Sequence, residues 1–157
     1  MSEKPAFLYD HVVRHAWHRI SRMYNHMAAD QELTMSMGFI LLAIGKEGIL
    51  STQLGPKMGM EPTSLSRTLK LMEERELIYR VIDKKDKRKV HLYLTDIGIV
   101  KRKVIRNFVV GFNERIFKEI APTKMKAFYE VAEKVDKMIE EELARQAQDH
   151  FDDMNNE

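Results

Sequence analysis

Cysteine is absent from this chain. Its absence removes disulfides, thiolate metal sites, a cysteine nucleophile and thiol redox sensing. Glycine and proline are scarce, at 7 and 4 of 157 residues, so long helices are open to the chain. No apolar run approaches the roughly 18 residues of a membrane span. The opening Met1-Ser2-Glu3-Lys4-Pro5 lacks the charged-then-apolar pattern of a signal peptide. No glycine-rich phosphate loop occurs, and no Ser, His and carboxylate grouping stands out, so the chain reads as something other than an enzyme. The expectation is a cytoplasmic protein with no cofactor and no membrane partner.

What is present is uneven charge. The net charge of +2 conceals two opposed regions. Residues 62–106 hold 13 Lys and Arg against 6 Asp and Glu; residues 130–157 hold 3 against 10. A basic middle attracts a polyanion, and an acidic tail keeps away from one. Hydrophobic residues at 44% beside 32% charged residues predict a globular chain of ordinary core size.

Periodicity predicts six helices and one hairpin, a mainly α fold with a small β wing. Val13, Ala16, Trp17, Ile20, Tyr24 and Met27 recur at helical steps over 6–29. Thr34 is placed to cap a second helix carrying Phe39, Ile40, Leu42 and Ala43. Ser51 is placed to cap a short third helix, 52–58, and Pro62 suits the first turn of a fourth, 62–74. Two strands follow, Leu77 to Ile82 and Val90 to Thr95. Thr95-Asp96 then starts a long helix to about residue 120, and Ala121-Pro122 breaks it. A last helix over 122–145 repeats Met125, Phe128, Ala132, Val135 and Ile139 as a seam. Beyond Arg145 a polar, acidic tail, 146–157, is expected to fray.

The fourth helix has two faces. At 100° per residue, Leu65, Leu69 and Met72 fall together and point inward. Thr63, Arg67 and Lys70 lie opposite, flanked by Ser64 and Ser66. Short hydroxyl residues let such a helix approach a major groove; Arg67 suits a bidentate contact with guanine, and Lys70 reaches phosphate or a base. The third helix would cross the backbone as the first half of a helix-turn-helix. Taken alone, the face also fits an ordinary solvated helix surface. The hairpin that follows changes this: Lys84, Lys85, Lys87, Arg88 and Lys89 crowd its bend. Asp86 among them is expected to hold Arg88 in a fixed pose for the minor groove, the lysines serving phosphates. A solvated charged tip is the plain alternative.

These residues resemble the MarR family of bacterial transcription regulators. The pattern appears as Ser64-Leu65-Ser66-Arg67, Leu69, Met72-Glu73-Glu74-Arg75, Leu77-Ile78-Tyr79-Arg80, Asp83, Asp86-Lys87-Arg88 and Leu94-Thr95-Asp96-Ile97-Gly98. Leu33-Thr34 followed by Phe39-Ile40-Leu41-Leu42-Ala43 resembles the family's second helix. The resemblance spans about residues 8–145. It implies one winged helix-turn-helix domain, with a DNA-binding lobe at about 33–98 and dimerisation helices at about 6–29 and 96–145. It further implies a homodimer on a palindromic operator, and repression relieved by a small, often aromatic ligand lodged between the dimerisation helices and the lobe. Trp17, Phe39, Phe108 and Phe112 are the aromatics available to line such a pocket, though helical spacing also fits plain core. The chain departs from the family in carrying Glu76 where glycine is usual, Lys84 for a frequent proline and Lys87 for an arginine. A left-handed Glu76 would cost about 1 kcal/mol.

Two alternatives keep the same fold. His11, His15 and His18 recur at ligand-like spacing, which would suit a metal-responsive regulator, but they surround Arg22 and no carboxylate joins them. A winged helix can also serve as a protein- or RNA-interaction module without specific duplex binding.

Overall fold

The computed structural model describes residues 8–155. Ala6 and Phe7 of the expected first helix, and the end of the acidic tail, lie outside them. Nine elements follow in order: α1 (Tyr9–Ala29), α2 (Met35–Ala43), β1 (Ile49–Leu50), α3 (Ser51–Met58), α4 (Pro62–Glu74), β2 (Ile78–Ile82), β3 (Val90–Leu94), α5 (Asp96–Glu119) and α6 (Pro122–Asn155). They divide into two compact units, one up to Val109 and one from Val110.

The first unit is a mainly helical lobe with a three-stranded antiparallel sheet of order β1-β3-β2. Its core joins Met37, Ile40, Leu41 and Ile44 of α2 to Leu54 of α3 and to Leu65, Leu69 and Met72 of α4. Leu77, Ile78, Leu92 and Ile105 close the same cluster. Thr34 caps α2: its hydroxyl accepts from the Met37 amide at 3.2 Å, a contact worth about 1 kcal/mol. Ser51 does not cap α3. It is the helix's first residue, and the extended Leu50 precedes it with no side-chain cap. The reason is β1, which pairs Ile49 with Leu92 and Leu50 with His91 and so carries strand geometry up to the helix start. Gly48 turns the chain into that strand at φ +73°, where a Cβ would stand 2.6 Å from the Tyr93 ring.

The turn between α4 and β2 is made by Glu76, where the resemblance leads one to expect glycine. Glu76 adopts φ +54°, so the strain expected from the missing glycine is present. The Thr95 hydroxyl donates to the Glu76 carbonyl, the Thr95 amide to Leu77 O at 3.1 Å, and the Gly98 amide to Thr95 Oγ1 at 3.0 Å. A Cβ on Gly98 would lie 2.0 Å from Leu77 O. The Leu-Thr-x-x-Gly sequence is therefore a docking device that seats the first turn of α5 on the chain entering β2.

α1 buries Tyr24 and Ala28 in its second half, while Leu8, Tyr9, Val12, Val13 and Trp17 remain exposed. In the second unit, Met125, Ala132 and Val135 of α6 are half-buried, whereas Phe128 and Ile139 of the same seam are exposed. α6 also continues to Asn155, so residues 146–155 are helical rather than frayed. No glycine or proline interrupts the run, and Glu142 pairs one turn on with Arg145 and Gln146. Among the described residues no helix is long and apolar enough to cross a membrane.

Candidate nucleic-acid interface

α3 and α4 stand as a helix-turn-helix over the shared core, and their order fixes what faces outward. Thr63, Ser64, Ser66, Arg67 and Lys70 are all exposed, while Leu65, Leu69 and Met72 are buried. Thr68 turns back along the helix and donates to Ser64 O at 2.9 Å. Lys70 lies 3.9 Å from Glu74, with both side chains largely in solvent, a loose pair that leaves the ammonium available. Arg67 makes no ion pair among the described residues.

The wing is the β2–β3 hairpin, registered Ile78↔Leu94, Arg80↔Leu92 and Ile82↔Val90. Leu92 is buried against the lobe. On the opposite face Tyr79 and Tyr93 are cross-strand partners whose rings stack at 5.5 Å. At the base, Arg80 Nε donates across both oxygens of Glu73 at 2.8 Å, tying the wing to α4. Sequence reasoning passed over this pair and the tyrosine stack.

The tip is organised by two carboxylates. Asp86 Oδ1 accepts from the backbone amide of Arg88 at 3.1 Å and from its Nε at 3.3 Å, the contact expected from their spacing. Arg88 stays 92% exposed, so this pairing orients the guanidinium without burying it. Asp83 was the unrecognised organiser. Its Oδ1 accepts from the amides of Lys85 at 2.7 Å and Asp86 at 2.9 Å, and its Oδ2 lies 3.3 Å from His91 Nε2. An Asp followed by a tight turn is the signal that could have found it. The Asp86 and Lys85 amides, helped by His91, hold its carboxyl below the usual carboxylate range, because they bond the charged form. Lys84, Lys85, Lys87, Arg88 and Lys89 all face solvent.

The MarR family model matches residues 33–90, from the residue before the Thr34 cap to the first residue of β3. Over these residues the chain is similar to the MarR family. Over 84 residues the chain is 31% identical to the HTH-type transcriptional regulator TtmR of Methylorubrum extorquens (strain PA1), a match covering 53% of the chain and 43% of TtmR. It thus spans less than half the length of that curated relative. Among solved structures, the S. aureus MepR–DNA complex matches with a TM-score of 0.74 at 18% identity, covering 85% of this chain and 99% of that one. PcaV from Streptomyces coelicolor, solved with its natural ligand, matches at 0.68 and 18%, covering 87% and 97%. These likenesses concern the fold. TtmR and PcaV are both named as transcriptional regulators.

The remaining sequence candidates lie on α1, α2 and α5. Phe39 and Phe108 both meet the Tyr24 ring edge-on, at 5.7 and 6.1 Å. Phe39 lines a cavity there with Met27, Met35 and Ile105 of about 10 Å³, roughly one water. Trp17 is 53% exposed. Phe112 belongs to the second unit, under the Arg115 guanidinium at 5.7 Å. His11, His15 and His18 are exposed on α1. Among the described residues no group of three or more His, Asp or Glu is arranged to hold a metal ion.

Proposed function

We propose that this protein regulates transcription by binding duplex DNA as a homodimer, with one α4 and one wing from each copy. The observation that carries this reading is that α4 and the hairpin following it both present cations to solvent: α4 offers hydroxyls, Arg67 and Lys70 over a fixed core, and the hairpin a charged tip whose Arg88 is oriented by Asp86. In this reading Thr63, Ser64, Ser66, Arg67 and Lys70 serve the major groove. Arg88 enters the minor groove or grips its rim, and Lys84, Lys85, Lys87 and Lys89 neutralise phosphates. The MepR structure solved with DNA supports the partner.

The dimer is supported by apolar side chains that are exposed among the described residues: Val12, Val13 and Trp17 on α1, and Phe128, Ile139 and Leu143 on α6. Burying such stripes against a second copy is the economical solution, and two-fold symmetry then calls for a palindromic operator. Repression relieved by a small ligand completes the reading; the PcaV structure with its natural ligand supports it. Differential affinity of the ligand for two dimer shapes is all the mechanism needs.

The test is a salt titration of binding to a selected site and to random duplex. With on the order of 6–10 phosphates engaged by a dimer, log affinity falls with log salt at a slope of about −5 to −9. Equal affinity for both duplexes at moderate salt would overturn the reading in favour of a protein- or RNA-binding module.

A further inference from the structure

The outer face of the sheet carries a row of rings. Tyr79 and Tyr93 are cross-strand partners, and their planes lie 22° apart at 5.5 Å. His91, two residues back along β3, stacks on Tyr93 at 6.4 Å and 29°. Both rings of β3 are held in place. Tyr93 lies over Gly48, where a Cβ would clash with it, and His91 Nε2 stands 3.3 Å from the Asp83 carboxylate. Tyr79 ends the row and is 48% exposed. Val81 is the cross-strand partner of His91, so it shares this face, and it too is exposed.

A cross-strand tyrosine pair stabilises a sheet by itself. That role accounts for the contact between the two rings. It does not account for apolar surface left open beside the most cationic segment of the chain. Lys84, Lys85, Lys87, Arg88 and Lys89 stand at the end of the same two strands and face solvent. From Tyr79 to Lys84 is about 16 Å of extended chain, the length of about five stacked nucleotides. Unpaired nucleic acid is bound by this combination: a ring face for a base, and cations within a short strand's reach for the phosphates. Rings already fixed by their neighbours lose little freedom when a ligand arrives.

We infer that this face binds single-stranded DNA, with an unpaired base stacked on Tyr79 and the flanking phosphates at the cationic tip. Val81 selects thymine, because its exposed side chain meets the C5-methyl group that uracil lacks. A duplex keeps its bases stacked on one another and offers none to Tyr79. The site uses neither α4 nor a second copy of the chain, so its failure and the failure of the duplex reading are separate results.

The experiment is fluorescence anisotropy of the full chain with a labelled oligothymidylate of about fifteen nucleotides, beside an oligouridylate and an abasic strand of equal length. The thymidylate should bind about tenfold more tightly than the abasic strand, as one base stacked on a ring requires, and more tightly than the uridylate. Tyr79→Leu should weaken the thymidylate about tenfold and leave the abasic strand and a random duplex unchanged, whereas Tyr79→Phe should retain binding. Should Tyr79→Leu fail to fold, the ring proton signals of Tyr79 and Tyr93 in the native protein read the same face, moving with thymidylate and not with the abasic strand. Equal binding of thymidylate and abasic strand, uridylate bound as tightly as thymidylate, or undiminished binding by folded Tyr79→Leu would overturn the inference.

Discussion

α4 is held from behind by Leu65, Leu69 and Met72, all buried. The wing beyond Ile82 buries no side chain before Leu92, and its tip is held by the carboxylates of Asp83 and Asp86. Of the two elements proposed to face DNA, one is therefore positioned by packing and the other by local electrostatics. Packing gives a fixed face and couples that face to the stability of the whole lobe. Electrostatics leave the tip free to adjust to a groove but expose its shape to pH and salt.

The largest expected effect breaks the packing side. Met72→Ala should destabilise the lobe by about 2–5 kcal/mol, read as a lowered denaturation midpoint, with the wing's local turn bonds surviving only as long as the lobe is folded. Changes to the outward face should leave stability alone. Arg67→Ala should cost about 1–3 kcal/mol in binding and relax preference at one base pair. Lys87→Ala, at the tip, should weaken all sequences alike and lower the salt slope by about one. If Arg67→Ala left site preference intact, the proposed facing of α4 would be wrong.

The junction between the two regions sharpens the comparison further. Glu76 pays a left-handed backbone penalty there. Glu76→Gly should therefore stabilise the protein, by up to about 1 kcal/mol, measured by chemical denaturation. The smallest effect concerns acid. Asp83's folded pKa is lowered, so its contribution to the tip is present in full above the unfolded carboxylate value, about 3.9. It is lost as pH falls through the lower folded value. Amide exchange at Lys85 and Asp86 should rise over that acid window in the native protein. In Asp83→Asn it should show no such step.

What could be read from the sequence follows the same division. The buried face of α4 and the Thr34 cap were legible because each depends on residues within a turn or two, whereas a left-handed Glu76 was raised only by the resemblance, which has glycine there. The Asp86–Arg88 contact, two residues apart, was legible too. β1 was not, because two residues carry no alternation; missing it put Ser51 in a cap position that the strand denies it. The helical continuation beyond Arg145 was obscured by polar composition, although nothing there stops a helix. The bonds from Arg75 to Glu32 and from Lys101 to Gln31 join positions 43 and 70 residues apart. No local pattern announces such contacts. Of the four aromatics named for a ligand lining, Phe39 and Phe108 share Tyr24, while Trp17 is exposed on α1.

The central claim is that α4 and the wing act together on duplex DNA, once from each copy of the chain. Selecting bound duplexes from a random library tests it most directly. The account predicts enrichment of a palindrome with half-sites about one helical turn apart, lost when Arg67 is replaced by alanine. Recovery of unenriched sequences, or of a single non-palindromic site, would contradict it.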